Sequence, residues 1–325
     1  MIRVLVSEIL CGGGWVEPAR SSEWAPALLG EAWAMLAAVT ADLAAVPGVQ
    51  VLTILDARLA DHVLDPRVVV HRVVAAEEPA LFRRLAGECD FALIIAPEID
   101  GRLAERAAWA AAAGAQLLGP DPTAIALTSD KLELAHAWDR AGVPTPPTRL
   151  CTGEPPPFAP PWIVKPRWGA GSVGIQVVEG AVKDGGISWP PSSWIVQPLV
   201  RGRSASVAFL VGPRQTLALP PCWQRLDAEF RYLGGSTPLP EDWAERAATL
   251  GRRAIDAVDG LRGYVGVDLV LGDSDMAIEV NPRLTTSYVG LRQLARENLA
   301  EALLRIVRGE TVELSLRTTP VDWHV

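Results

Sequence analysis

Over its first 120 residues the chain alternates β-branched runs with Ala/Leu-rich amphipathic stretches, and this alternation limits the fold more than any other feature. VLV (4–6), VQVLTILD (49–56), VVVHRVV (68–74), FALIIAPE (91–98) and QLLG (116–119) read as strands. ALLGEAWAMLAAVTADLAAV (27–46) and LAERAAWAAAAG (103–114) read as helices. Strand and helix in turn require crossover connections, so a parallel sheet covered on both faces is expected. Near Gly119-Pro120 the texture changes. TSDKLELAHAWDRAG (128–142) predicts one helix, with Ser129 or Asp130 as N-cap and Gly142 as its stop. The proline-rich stretch 143–161 reads as an extended linker, and WIVKPRW, IQVVEG and SSWIVQPLV follow as short strands joined by turns. From about 203 to 281 longer strands enclose a helix, EDWAERAATLGRRAIDAV (241–258), and RQLARENLAEALLRIVRG (292–309) predicts one last helix.

A chain of 325 residues is long enough for two or three fused subdomains. A net charge of -8 argues against an electrostatic nucleic-acid footprint. No apolar run reaches the roughly 20 residues of a membrane helix, and MIRVLVSEIL, with its Glu8, reads as a first strand rather than a signal peptide. Cys11, Cys89, Cys151 and Cys222 are far apart, as are His62, His71, His136 and His324. Neither a disulfide framework nor a zinc site has spacing support, and a reducing cytoplasm is the default location. Of 30 basic residues only Lys131, Lys165 and Lys183 are lysines, the other 27 being arginines. Where arginine serves for generic positive charge, a retained lysine marks a place where a compact ammonium is needed. Lys183, beside Asp184-Gly185-Gly186, reads as a solvated surface residue; Lys131 and Lys165 are candidates.

WGAGSVGI (168–175) contains Gly169-Ala170-Gly171-Ser172-Val173-Gly174, a G-x-G-x-x-G match that is weak alone. The dinucleotide version needs a helix after the loop, and here the strand IQVV follows. A glycine hairpin between strands can fold over phosphates and offer them backbone N–H groups. A degenerate nucleophile elbow around Ser172 is a third reading, with His324 as the one histidine after it in the chain. A plain flexible turn is the fourth. Lys165, four residues before the loop, favours phosphate, which it would neutralise as a point charge.

GYVGVDLVLGDSDMAIEVNPR (263–283) reads as an antiparallel hairpin with its turn at Gly272-Asp273-Ser274-Asp275. Counting outward from the turn, Asp268 lies near Glu279 or Asn281 across the pair, and Glu279 and Asn281 share a face. These side chains could converge as a hard oxygen-donor set suited to Mg²⁺ when phosphates complete the octahedron; a charged hairpin face open to solvent is the plainer reading, disfavoured because Asp268 and Glu279 are embedded among Val, Leu and Ile. Arg283, just beyond Pro282, is placed to hold a transferring phosphoryl group.

Collectively these residues resemble the ATP-grasp superfamily of carboxylate–amine ligases. The stations are Ser129-Asp130-Lys131, Lys165-Pro166, Gln197 in IVQPLVRG, Asp268, and Glu279-Val280-Asn281-Pro282-Arg283. The resemblance implies an α/β ATP-grasp fold. An N-terminal parallel-sheet (pre-ATP-grasp) domain would span 1–120, a small α+β lid domain 121–200, and a C-terminal α+β domain with an antiparallel sheet and the metal site 201–325. It implies ATP and Mg²⁺, or Mn²⁺ in its place. Lys131 and Lys165 would contact the nucleotide phosphates, and Gly169, Ala170, Gly171 and Ser172 would cover them. Gln197, Pro198 and Leu199 would form the hinge beside adenine. Asp268, Glu279 and Asn281 would bind the metal, with Arg283 and Lys165 acting in catalysis. A substrate carboxylate would take the γ-phosphate to give an acyl phosphate, which an amine then attacks. Two departures stand out: the hinge has Gln197-Pro198 where Gln-Glu is usual, and RGRSASVAF lacks the acid that often holds the ribose.

Within the superfamily, VNPRLTTSYVGL, IIAPEIDG, LLGPDPTAIALTSDKL, YLGGSTPL and GGGW followed by LLGEAWAML resemble the tyramine–L-glutamate ligase group of methylofuran-type cofactor biosynthesis. That resemblance implies joining the side-chain carboxylate of glutamate to the amine of tyramine or tyrosine. Dipeptide and D-alanine–D-alanine ligases are the alternatives. The latter fit less well, since Gly266 stands where they carry an arginine. A serine hydrolase using Ser172 and a non-catalytic nucleotide-binding protein are more remote. Small molecules are the expected partners, with no nucleic acid and no membrane, and ligases of this kind are often homodimers. By position in the resemblance, acceptor-pocket candidates are Ser7, Glu8, Gly12 to Gly14, Glu98, Arg231, Gly234 to Ser236 and Thr285 to Tyr288; Gly12 to Gly14 read equally well as a plain loop.

Overall fold

A computed structural model describes residues 1–14, 25–152, 154–180 and 193–324. Lys183 and Trp15 lie outside the described residues. Three sheets organise the chain. In the first, β1 (Ile2–Glu8), β2 (Val49–Asp56), β3 (Val69–Val73), β4 (Phe91–Ile95) and β5 (Gln116–Leu117) run parallel in the order β3-β2-β1-β4-β5. Their residues alternate between two cores. Val4, Val6, Val51 and Leu93 face α1 (Ala25–Ala44), while Leu5, Leu52, Ile54 and Ile94 face α2 (Glu78–Gly87) and α3 (Arg102–Ala112). A strand buried on both sides needs an unbroken apolar run, which explains VQVLTILD and FALII.

The helix expected over 128–142 is α5 (Lys131–Arg140), capped by Asp130 as one of the two candidate caps, and a separate helix that the sequence reading missed, α4 (Pro122–Ser129), precedes it. Asp130 separates the two: extended at φ -92, ψ 97, it caps α5 by accepting from Leu132 N and Glu133 N. A capping carboxylate satisfies donors that a continuous helix would pair internally. The second sheet is antiparallel, ordered β6-β9-β7-β8 from β6 (Arg149–Leu150), β7 (Trp162–Pro166), β8 (Gln176–Val178) and β9 (Trp194–Pro198).

The third sheet takes β10 (Arg203–Val211), β11 (Thr216–Ala218), β12 (Cys222–Leu226), β13 (Tyr232–Thr237), β14 (Gly263–Leu271), β15 (Met276–Asn281) and β16 (Val321–His324). Its order is β15-β14-β10-β12-β13-β16, with β11 on β10. α6 (Glu241–Asp256) covers one face, together with α4 and α5; Trp138 of α5 donates through Nε1 to Ala254 O at 2.9 Å. The last helix expected over 292–309 is two, α7 (Ser287–Leu294) and α8 (Leu299–Val307). Ala295 turns extended, and Asn298 caps α8 through Ala300 N and Glu301 N. Both helices pack in one core with α1 and the first sheet. Among the described residues no helix is long and apolar enough to cross a membrane.

Candidate active site

A cleft of about 1520 Å³ runs between the three sheets. On one wall, Lys165 stands on β7 only 5% exposed, and burial pushes its ammonium down to about 8 against the opposing pull of Glu279 and Asp268. Lys131 is the first residue of α5, where the helix dipole disfavours a cation. Its partners hold it there: Nζ donates to Gly169 O at 2.7 Å and lies 3.3 Å from Glu279 Oε2. Asp130 completes the clamp, accepting from Arg167 Nε at 2.7 Å and Nη2 at 2.6 Å.

Gly169 to Val173 line the cleft, and Gly171, Ser172 and Gly174 have φ of 67, 59 and 76. A Cβ on Gly174 would come within 3.0 Å of Trp194 and strain that backbone, so glycine is required there. β8 follows this loop and pairs antiparallel with β7. With no helix after it, both the dinucleotide and the nucleophile-elbow readings lose the strand–turn–helix they need.

Opposite the lysines, the β14–β15 register pairs Asp268 with Glu279 and Gly266 with Asn281, with an irregularity after Asp268. Burial, then Glu279, pushes the Asp268 carboxyl up to about 7, against hydrogen bonds from Asn281 Nδ2 to Oδ2 (2.9 Å) and Gln224 Nε2 to Oδ1 (2.8 Å). Burial works against the Glu279 carboxylate too, yet Lys131 and Lys165 outweigh it and hold it below the ordinary range. Among the described residues no cluster of three or more His, Cys, Asp or Glu side chains forms. This donor set is instead two carboxylates and the Asn281 carbonyl oxygen, left over once Nδ2 has bonded Asp268. Two half-buried acids in register, one of them driven toward its neutral form, fit a divalent cation.

Arg283 leaves β15 for the first sheet. Its Nη2 donates to Glu98 Oε2 at 3.2 Å, and Nε lies 2.9 Å from Glu98 Oε1 without hydrogen-bond alignment. The cleft's far end also holds Glu8, pushed up to about 7 by burial although Cys11 N donates to it at 2.7 Å, and Glu31.

Gln197, Pro198 and Leu199, expected as the hinge, line the cleft, but their polar groups are partly committed. Gln197 Nε2 donates to Thr148 Oγ1 at 2.8 Å and Leu199 N to Pro161 O at 2.8 Å. Pro198 has no N–H.

Of the acceptor-pocket candidates, Glu8, Thr285, Thr286 and Ser287 line the cleft. Ser7, Gly12 to Gly14, Glu98, Arg231, Gly234 to Ser236 and Tyr288 are not among its lining residues. Arg231 is spent on Asp227 and Glu229 at the surface, Gly234 and Gly235 pack against Trp323, and Tyr288 donates to Asp42. Gly13 has a φ of 79, and a Cβ there would collide with the Asp56 carboxylate, so Gly12 to Gly14 form a tightly packed loop. Gln224 and Glu31 escaped the sequence reading. The one signal for Glu31 was an acid inside the apolar face of its helix; Gln224 had none.

The ATP-grasp domain family matches residues 128–287, and the pre ATP-grasp 3 domain family matches 49–125. A tyramine–L-glutamate ligase of Methanocaldococcus fervens is 29% identical over 221 residues, 68% of this chain and 67% of that protein. A crystal structure of a protein assigned to the ATP-grasp superfamily from Archaeoglobus fulgidus superposes with a TM-score of 0.75 at 26% identity, covering 96% of this chain and 90% of that one. The biotin carboxylase domain of Hydrogenobacter thermophilus 2-oxoglutarate carboxylase, solved with MgADP, shares the fold at a TM-score of 0.70 and 16% identity, covering 96% of this chain and 71% of that one. With an ATP-grasp domain set behind a pre-ATP-grasp domain, the chain belongs to the ATP-grasp superfamily, whose ligases use ATP to join a carboxylate to an amine.

Proposed function

We propose that this protein is an ATP- and Mg²⁺-dependent ligase that joins the side-chain carboxylate of L-glutamate to the amine of tyramine or tyrosine. The observation that carries the reading is one cleft holding Lys131 and Lys165, the glycine loop 169–174, the Asp268–Glu279–Asn281 set and Arg283. Lys131 and Lys165 bind nucleotide phosphates, and the loop covers them with backbone donors. The metal, held by Asp268, Glu279 and Asn281, supplies Lewis-acid stabilisation of phosphate charge. Arg283 lies at the junction between that end and the acidic far end, where it steadies a carboxylate as it takes the phosphoryl group. The amine then forms the C–N bond, phosphate leaves, and the amine nitrogen gives up its proton.

The likeness to a tyramine–L-glutamate ligase supports the substrate pair. A D-alanine–D-alanine reading is weakened at Gly266, where a Cβ would come within 2.8 Å of Thr285 Cγ2, leaving no room for the arginine that reading calls for.

The test is ADP release from ATP, screened over carboxylate and amine pairs, with mass analysis of the product. Glutamate with tyramine or tyrosine should stimulate release and yield the amide. ATP binding with no pair stimulating release would defeat the proposal. Ser172→Ala should leave most of the activity, whereas a hydrolase would lose it.

A further inference from the structure

On α1, Leu28, Glu31, Ala32 and Met35 all line the cleft. Their spacing of i, i+3, i+4 and i+7 is that of a single helix face, so one carboxylate sits in an otherwise apolar stripe. Leu59 and Ile95 extend the apolar wall from the first sheet. Glu31 Oε2 accepts from Thr286 Oγ1 at 3.2 Å, and among the described residues nothing donates to Oε1. Burial raises the carboxyl above its ordinary range against the pull of Thr286 and Arg283, so a cation arriving there would be bound favourably.

The charges around it narrow the ligand further. Glu8 lines the same end, and both guanidiniums lining that end are already ion-paired, Arg283 with Glu98 and Arg58 with Asp56. At that end a ligand with its own carboxylate would face two acids and, among the described lining residues, guanidiniums that are both already paired. A ligand with an ammonium on an apolar body would satisfy both the carboxylate and the stripe. Glutamate has an ammonium but no such body.

We infer that Glu31 receives the ammonium of the acceptor substrate, and that this acceptor is a primary amine on an apolar body without a carboxylate, tyramine-like rather than tyrosine-like. The inference rests on the amide-ligase reading above. Thr286 orients the carboxylate, and the Leu28–Met35 stripe takes the hydrocarbon portion.

The test compares the full-length protein with its Glu31→Gln and Glu31→Asp variants under saturating Mg·ATP. With Gln, the KM for tyramine should rise roughly ten- to a hundredfold, as expected for loss of a charge-assisted contact. The KM for glutamate and the affinity for Mg·ATP should stay within about twofold, and Asp should recover part of the loss. Hydroxylamine, which needs neither the ammonium contact nor the apolar wall, should trap the acyl phosphate as hydroxamate equally well in wild type and variants. Wild type should prefer tyramine over tyrosine in kcat/KM by about tenfold or more. An unchanged tyramine KM, a rise in the glutamate KM instead, or equal use of tyrosine would overturn the inference. Absence of hydroxamate from the wild type with glutamate would instead overturn the ligase reading itself.

Discussion

Arg283 and Glu98, 185 positions apart, meet as a buried ion pair that ties the end of β15 to the loop after β4. Glu98 is 4% exposed, and removing its carboxylate would take from the largely buried Arg283 guanidinium its one ion-pair partner among the described residues. Glu98→Ala should cost about 3 kcal/mol of stability and lower amide formation more than it lowers Mg·ATP affinity. Chemical denaturation beside nucleotide titration checks this; equal losses in both activities would show that Arg283 needs no orienting partner.

Lys165→Met keeps the length of the side chain and removes its charge. Mg·ATP affinity should fall roughly ten- to a hundredfold by calorimetric titration. Lys131→Met should weaken it as well and should also release the Gly169 carbonyl, making the loop more sensitive to protease. A nucleotide bound equally well by both variants would remove the lysines from the phosphate site.

Asp268 and Glu279 repel each other in the metal-free protein, and this repulsion, after burial, raises the Asp268 carboxyl. Asp268→Asn ends it, and the amides of Gln224 and Asn281 can turn over to meet the new side chain. The metal-free variant should melt higher than wild type at pH 8 while losing the gain in melting temperature that Mg·ATP gives wild type. Adding EDTA to wild type should likewise abolish ATP turnover. A variant that still gains stability from Mg·ATP would exclude Asp268 as a ligand.

Glu8 provides a pH test. Its carboxyl is raised from 4.5 to about 7, mainly by burial. Between those values the folded protein keeps a proton that the unfolded chain has released, so stability falls as pH rises through the window. Gln cannot ionise and can still accept from Cys11 N. From pH 4.5 to 8 the Glu8→Gln variant should therefore gain on wild type by on the order of 3 kcal/mol. Parallel denaturation curves across that range would contradict the shift.

Local pattern made some of this legible. The turn at Gly272 to Asp275 and the period of two place Glu279 and Asn281 on one face, and counting back brings Asp268 near one or the other, of which the register takes Glu279. Lys165 showed itself because lysine is scarce and a glycine loop follows. Asp130 was readable as a helix cap, whereas the break at Asn298 was hidden because apolar periodicity continues across it and the capping side chain competes with it locally. Gln197 read as a hinge residue, and nothing near it in the chain announces Thr148 as its partner. Gln224 reaches Asp268 through β10, which lies between their strands, and the Arg283–Glu98 pair spans two sheets. Contacts of that kind belong to tertiary packing and leave no local trace.

The continuous core that joins α1 and the first sheet to α7 and α8 has a mechanical consequence. It welds the first and third sheets into a single anvil. The four-stranded sheet, with its own small cluster around Cys151, Trp162, Val164 and Val196, is the hammer. Gly171 at the tip of its loop comes close enough to Leu28 of α1 for an added Cβ to touch it at 3.7 Å. Any shift of that sheet as a unit would thus alter the glycine-loop end of the cleft and its α1 wall together.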